Sequence, residues 1–157
     1  MTSRASMLIS MVKNAWKKSG VALRSGVTEA NIKAFEQSYG IRLPADIAEY
    51  FRSADGMDES DVDEHTIRFW PLSEVRPVLE EIPSASADLF GGYFVFADYS
   101  MWAHGYAVHL NDGTDVIIVG GDRPITVASS FGDFLELYMN QPEKLFPHST
   151  KAGAERN

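Results

Sequence analysis

Apolar positions recur at helical spacing in the first third of the chain, alternate with period two in its second half, and return to helical spacing near the end. Residues 4 to 19 read as a helix. Leu8, Met11, Val12 and Ala15 follow the i, i+3, i+4, i+7 rule, Met7 and Trp16 widen the stripe, and Gly20 stops it. Lys17 and Lys18 sit where the helix dipole favours cations. A second helix starts after Thr28, a good N-cap, with Glu29 in its first turn and Val27 and Ile32 placed as a hydrophobic staple. Ile32, Phe35 and Tyr39 form its apolar face, and Gly40 ends it. Pro44 opens a third helix as a first-turn proline, with Ile47, Tyr50 and Phe51 facing inward.

The segment from Asp55 to Glu64 carries too little apolar content for a core and reads as a solvated acidic loop. Thr66 to Trp70 is a first strand, closed by Pro71, and Ser73 caps a short helix that Pro77 bends. Pro83 to Asp88 is a connection of small residues. The strand candidates that follow are Tyr93 to Asp98, Gly105 to Leu110, Asp115 to Val119 and Ile125 to Ala128. Asn111-Asp112-Gly113 makes a hairpin of the middle pair. Ser130 caps a final helix whose face is Phe131, Phe134, Leu135 and Tyr138, with Pro142 beyond its end. Helices, then strands in hairpin order, then a helix predict an α+β fold: a central antiparallel sheet with helices packed on one side.

Length and composition add bounds. The 157 residues, 45% hydrophobic, suit one domain, expected over 1–146 and followed by a disordered tail over 147–157. No apolar run reaches the roughly 18 residues that span a bilayer. With no cysteine, disulfides, thiolate metal sites and thiol nucleophiles are excluded, and the composition suits a cytoplasmic protein. Residues 1 to 28 carry five bases and no acid, which leaves nine bases against all 22 acids in the rest of the chain. Such a body disfavours nucleic acid and favours a basic protein partner.

No catalytic motif emerges. His109 alternates with inward strand positions and is expected to be solvent-facing or locally bonded. His104 stands in a loop without a nucleophile beside it. The Gly91-Gly92 and Gly120-Gly121 pairs lack the spacing of phosphate loops. Asp61, Asp63 and His65 would share one face of an extended segment and make a candidate metal set. No fourth ligand follows them, so no metal and no cofactor is expected, and a solvated loop is the competing reading. Seven aromatics crowd residues 90 to 106, and Tyr99 and Trp102 fall in the loop between strands, where such residues anchor protein interfaces.

One pattern spans most of the chain. It runs from Ile32 through Phe35-Glu36, Tyr39-Gly40-Ile41, Leu43-Pro44-Ala45-Asp46, Tyr50-Phe51 and Asp55-Gly56. It continues with Trp70-Pro71-Leu72-Ser73-Glu74-Val75, Phe94 to Asp98, Gly105 to Val108 and Ser129 to Leu135. In order and spacing these pieces, over residues 27–138, resemble the SUKH superfamily, a bacterial and fungal family that includes toxin-immunity proteins and a yeast cell-wall assembly regulator. The resemblance implies an α+β fold with no enzymatic activity and no catalytic residues to carry over. It implies a protein-binding module, either an immunity protein that neutralises a toxin, often a nuclease, or a regulatory or scaffold protein. The expected contacts are Asp58, Glu59, Asp61, Asp63 and Glu64 for electrostatic steering and Tyr99 and Trp102 for anchoring. A metal-dependent enzyme using Asp61, Asp63 and His65 is the remote alternative.

Overall fold

The computed structural model describes residues 3–146; the expected tail over 147–157, with His148, lies outside the described residues. Three helices come first, α1 (Arg4–Lys18), α2 (Glu29–Tyr39) and α3 (Ala45–Ser53). The first two start where the sequence signals them. Ser3 Oγ accepts from the Ser6 amide at 3.0 Å. Thr28 and Asn31 form a reciprocal capping box, and Gly40 closes α2 in the left-handed region at φ 64°. Such caps are worth about 1 kcal/mol each. Pro44 stands one residue earlier than expected, at the cap of α3 rather than in its first turn.

The sheet follows. Strand β1 (Ile67–Phe69) leads through a 3-10 turn at Leu72–Glu74 to β2 (Arg76–Pro77), α4 (Val78–Glu81) and α5 (Ala87–Phe90). Then come β3 (Tyr93–Tyr99), β4 (His104–His109), β5 (Val116–Val119), β6 (Ile125–Ala128) and α6 (Phe131–Asn140). A second 3-10 turn, Pro142–Leu145, closes the described chain. All pairings are antiparallel, in the order β1-β3-β4-β5-β6, with β2 pairing β3 beside β1. Three short elements, β2, α4 and α5, escape the sequence pattern because two or four residues show no period.

Aromatic rings join the helices to the sheet. Phe69 of β1 meets Trp16 of α1 at 5.1 Å, Tyr138 of α6 at 5.0 Å and Phe134 at 6.2 Å. A register shift between Val95 and Ala97 lets Phe96 pack against Phe131 and Phe134 of α6 at 5.3 and 5.1 Å. Phe35 and Tyr39 of α2 cover Phe94 at 5.9 and 5.0 Å. The fold is α+β as the element order predicts. Among the described residues no helix is long and apolar enough to cross a membrane.

Candidate protein-interaction site

The acidic segment runs along the outer edge of β1. Its first residues are held by backbone geometry. Gly56 has φ 63°, and a Cβ there would lie 2.5 Å from the Trp70 carbonyl. Met57 is fully buried, and its amide donates to the Phe69 carbonyl at 2.8 Å. Asp63 returns to the same strand, its amide donating to the Ile67 carbonyl at 2.9 Å. Between them the Arg68 guanidinium donates to the carbonyls of Met57 and Asp58 and takes Glu74 in a two-pronged pair at 2.9 and 3.0 Å. The expectation of a wholly solvated loop is therefore corrected: the segment caps a sheet edge that would otherwise expose unpaired backbone groups.

Its carboxylates divide into two groups. Asp58 and Glu59 are exposed, as is Glu64. Asp58 pairs with Arg24 at 2.8 Å, and Glu64 lies 3.7 Å from the His65 ring. Asp61 is half-buried and accepts from the Ala22 amide at 3.3 Å. Asp63 is only 6% exposed. Its Oδ1 accepts from the amides of His65 and Ile67, both at 2.8 Å, and its Oδ2 accepts from the Tyr138 hydroxyl. Tyr138 in turn accepts from Trp16 Nε1 at 2.9 Å. Burial pushes the Asp63 carboxyl above its ordinary range, while these hydrogen bonds oppose that shift. Burial also raises Tyr138, and the Asp63 carboxylate adds to it. Asp63 shapes the segment from inside, and the outward carboxylates are Asp58, Glu59 and Glu64.

Asp61, Asp63 and His65 do not assemble into a metal site. Asp61 turns to a backbone amide, Asp63 points into the core, and the His65 ring packs edge-on against Tyr138 at 5.9 Å. Among the described residues no group of three His, Cys, Asp or Glu side chains is able to hold an ion.

The β3–β4 turn lies beside this segment. The Ser100 amide donates to the Thr66 carbonyl at 2.9 Å. Among the described residues the only non-glycine positive φ values are at Thr66 (65°), Ser100 (49°), Met101 (54°) and Trp102 (70°), all in these two adjoining turns. Asp98, 8% exposed, holds the turn. Its Oδ2 accepts from the Trp102 amide at 3.0 Å and its Oδ1 from Trp70 Nε1 at 2.7 Å. The Trp102 indole lies over Gly105, where a Cβ would sit 2.7 Å from the ring, and meets Trp70 edge-on at 6.0 Å. Tyr99 ends β3 and packs between His104 and Phe146, each at 5.0 Å. Both expected anchors are thus half-buried. The residue that projects is Met101, 94% exposed. No sequence signal singled it out, because an isolated Met in a loop looks like any other.

His104 and His109 are engaged within the fold. Tyr106 gives its hydroxyl hydrogen to the Leu145 carbonyl at 3.0 Å, so its contact with His104 Nε2, also 3.0 Å, is donated by the imidazole. His104 is buried at the start of β4 rather than in a loop. His109 Nδ1 accepts from the Asn111 and Asp112 amides at 3.3 Å and so supports the hairpin turn.

Comparison with curated proteins returns no match. The SMI1 / KNR4 family (SUKH-1) model matches residues 26–137, well over half of the chain and every strand of the sheet. The chain belongs to the SMI1 / KNR4 family (SUKH-1).

Proposed function

We propose that the chain is a non-enzymatic, cytoplasmic immunity-type protein that binds a basic toxin domain, with nucleases the first class to test, and neutralises it by occlusion. Family membership supports a binding module. The observation that carries the choice of surface is the Ser100–Thr66 hydrogen bond, which sets the β3–β4 turn against the acidic segment. Asp58, Glu59 and Glu64, with Asp61 behind them, steer a basic partner. Tyr99 and Trp102 form an apolar platform and Met101 projects from it. Charged rims act mainly on the association rate and its salt dependence, and buried apolar anchors act on dissociation.

The test is affinity capture from lysate of the source organism at low and high salt, followed by binding kinetics with the purified partner. Changing Asp58, Glu59, Asp61 and Glu64 together to their amides is expected to slow association about tenfold or more at low salt and to flatten its salt dependence. Unchanged association would sink the steering assignment. Capture of regulatory proteins with no basic domain would favour the scaffold reading instead.

A further inference from the structure

Methionine supplies all the sulfur in this chain, which has six methionines and no cysteine. Five of the six lie among the described residues, and the fold exposes them very unequally. Met57 is fully buried, and Met139 of α6 is half-buried. Met11 and Met7, one helical turn apart on α1, are 38% and 56% exposed. Met101, in the β3–β4 turn, is 94% exposed.

The backbone that carries the Met101 thioether is tied down on both sides of it. Before it, the Ser100 amide is bonded to the Thr66 carbonyl. After it, the Trp102 amide is bonded to the Asp98 carboxylate at 3.0 Å, and the Ala103 amide to the Tyr99 carbonyl at 2.8 Å. The turn therefore presents the sulfur to solvent instead of folding it back onto the sheet. An oxidant reaches a thioether from solvent, so exposure ranks the five sulfurs and puts Met101 first.

We propose that Met101 is the oxidant-sensitive site of this chain, and that its conversion to the sulfoxide by hydrogen peroxide releases a protein bound at the β3–β4 turn. One peroxide oxygen forms the S=O bond as the O–O bond breaks, the sulfur is oxidised by two electrons, and the other oxygen leaves as water. The product is a polar acceptor at the position that projects from the platform of Tyr99 and Trp102. In a closed interface that acceptor has lost its water and has no donor to replace it. A methionine sulfoxide reductase reverses the step: a dithiol is oxidised to a disulfide, the thioether is regenerated and the oxygen leaves as water. The release rests on the reading of this turn as an anchoring surface, whereas the order of oxidation does not.

The test treats the full chain with graded hydrogen peroxide, removes the oxidant and locates the sulfoxides by peptide mass spectrometry. Met101 is expected to oxidise first, Met7 next and Met57 last. The denaturant midpoint of the singly oxidised chain is expected to match that of the parent, because the Met101 side chain is almost wholly in solvent. Oxidised and untreated chains are then immobilised and loaded with lysate of the source organism. The oxidised chain is expected to bind the captured protein about tenfold or more weakly, the scale of one buried polar group without a partner, and reductase treatment to restore the binding. A Met7→Leu, Met11→Leu chain is expected to respond to peroxide as the parent does. A Met101→Leu chain, whatever its starting affinity, is expected to show no change with peroxide. Oxidation of Met7 or Met11 ahead of Met101, undiminished binding by the oxidised parent, or an equal loss in Met101→Leu overturns the proposal. Absence of binding by the untreated chain refutes the anchoring surface, and the release with it, and is told apart from the other failures because it appears before any peroxide is added.

Discussion

Tyr138, on the last α-helix, donates its phenolic hydrogen to the carboxylate of Asp63, near the end of the acidic segment. The bond joins residues 75 positions apart and continues through Trp16 Nε1 into α1. It divides the acidic residues by role. Tyr138→Phe leaves a buried carboxylate oxygen and a buried indole N–H short of one partner each, and is expected to cost about 2–4 kcal/mol in urea denaturation. Asp63→Asn is expected to cost about 1–3 kcal/mol by the same reasoning. Glu59→Gln and Glu64→Gln, on exposed side chains, are expected to stay within about 0.5 kcal/mol of the parent. A double-mutant cycle over Asp63 and Tyr138 checks that the two costs are one interaction, because contacting residues fail additivity.

The same carboxylate gives a pH dependence of known sign. Burial raises Asp63 above its ordinary value in the folded state. A carboxyl raised in this way contributes stability that is fully present below its unfolded value, near pH 4, and is lost as pH rises through the folded value. Glu29 and Asp133 are held low by Arg52 and by Ser129 with Arg4, respectively, and act in the opposite sense. Both remain in an Asp63→Asn variant, so they cancel in a comparison. The stability of the parent relative to that variant is therefore expected to fall as pH rises from about 3 to about 7, measured by denaturant unfolding at each pH. A constant difference would mean that Asp63 titrates at its unfolded value.

What the sequence revealed is local, and what it hid is non-local. Thr28 and Ser130 announce their helices because a cap needs only the next turn of chain. The period-two segments announce β3 to β5 for the same reason. Asp63 gave no sign of burial, since its acceptors are filled in part by Tyr138, far along the chain. Met57 sits alone among acids, yet β1 draws it into the core through the Phe69 carbonyl. The left-handed turn at Ser100 to Trp102 contains no glycine, so nothing in its composition marks positive φ. The one trace of Trp102's position is Gly105 inside a strand, where close approach excludes a side chain. Of the two expected anchors, Trp102 lies in the β3–β4 turn while Tyr99 ends β3 instead of standing in the loop, and the fold uses much of the surface of both.

Buried hydroxyls offer a matched pair. Tyr50 Oη is the one buried side-chain polar atom among the described residues without a hydrogen-bond partner; the Gly56 backbone lies beside it but completes no bond. Tyr106 Oη is also buried, yet it donates to Leu145 and accepts from His104. Tyr50→Phe is expected to leave stability unchanged or to raise it by up to about 1 kcal/mol, because it removes an unsatisfied group. Tyr106→Phe is expected to lower stability by about 1–3 kcal/mol, since it strands two partners. Thermal denaturation of the two variants side by side checks the contrast, and equal losses would refute it.

Met101 sits at φ 54° with its side chain almost wholly in solvent. A left-handed conformation costs an L-residue about 1–2 kcal/mol, and glycine avoids that cost while adding about 0.5–1 kcal/mol of chain entropy to the unfolded state. With no packing to lose, Met101→Gly is expected to stabilise the chain by about 0.5–1 kcal/mol. Gly105→Ala, in β4 just after the same turn, is the opposite case: its Cβ would meet the Trp102 ring at 2.7 Å, so the indole must move and stability is expected to fall. Denaturant midpoints give both signs directly. If Met101→Gly stabilises the free chain yet weakens the complex with the basic partner, then the methionine is retained at a cost to stability because it makes contact there, the pattern expected where backbone strain serves binding. If it stabilises the chain and leaves binding intact, then Met101 has no part in the interface, and anchoring falls to Tyr99 and Trp102.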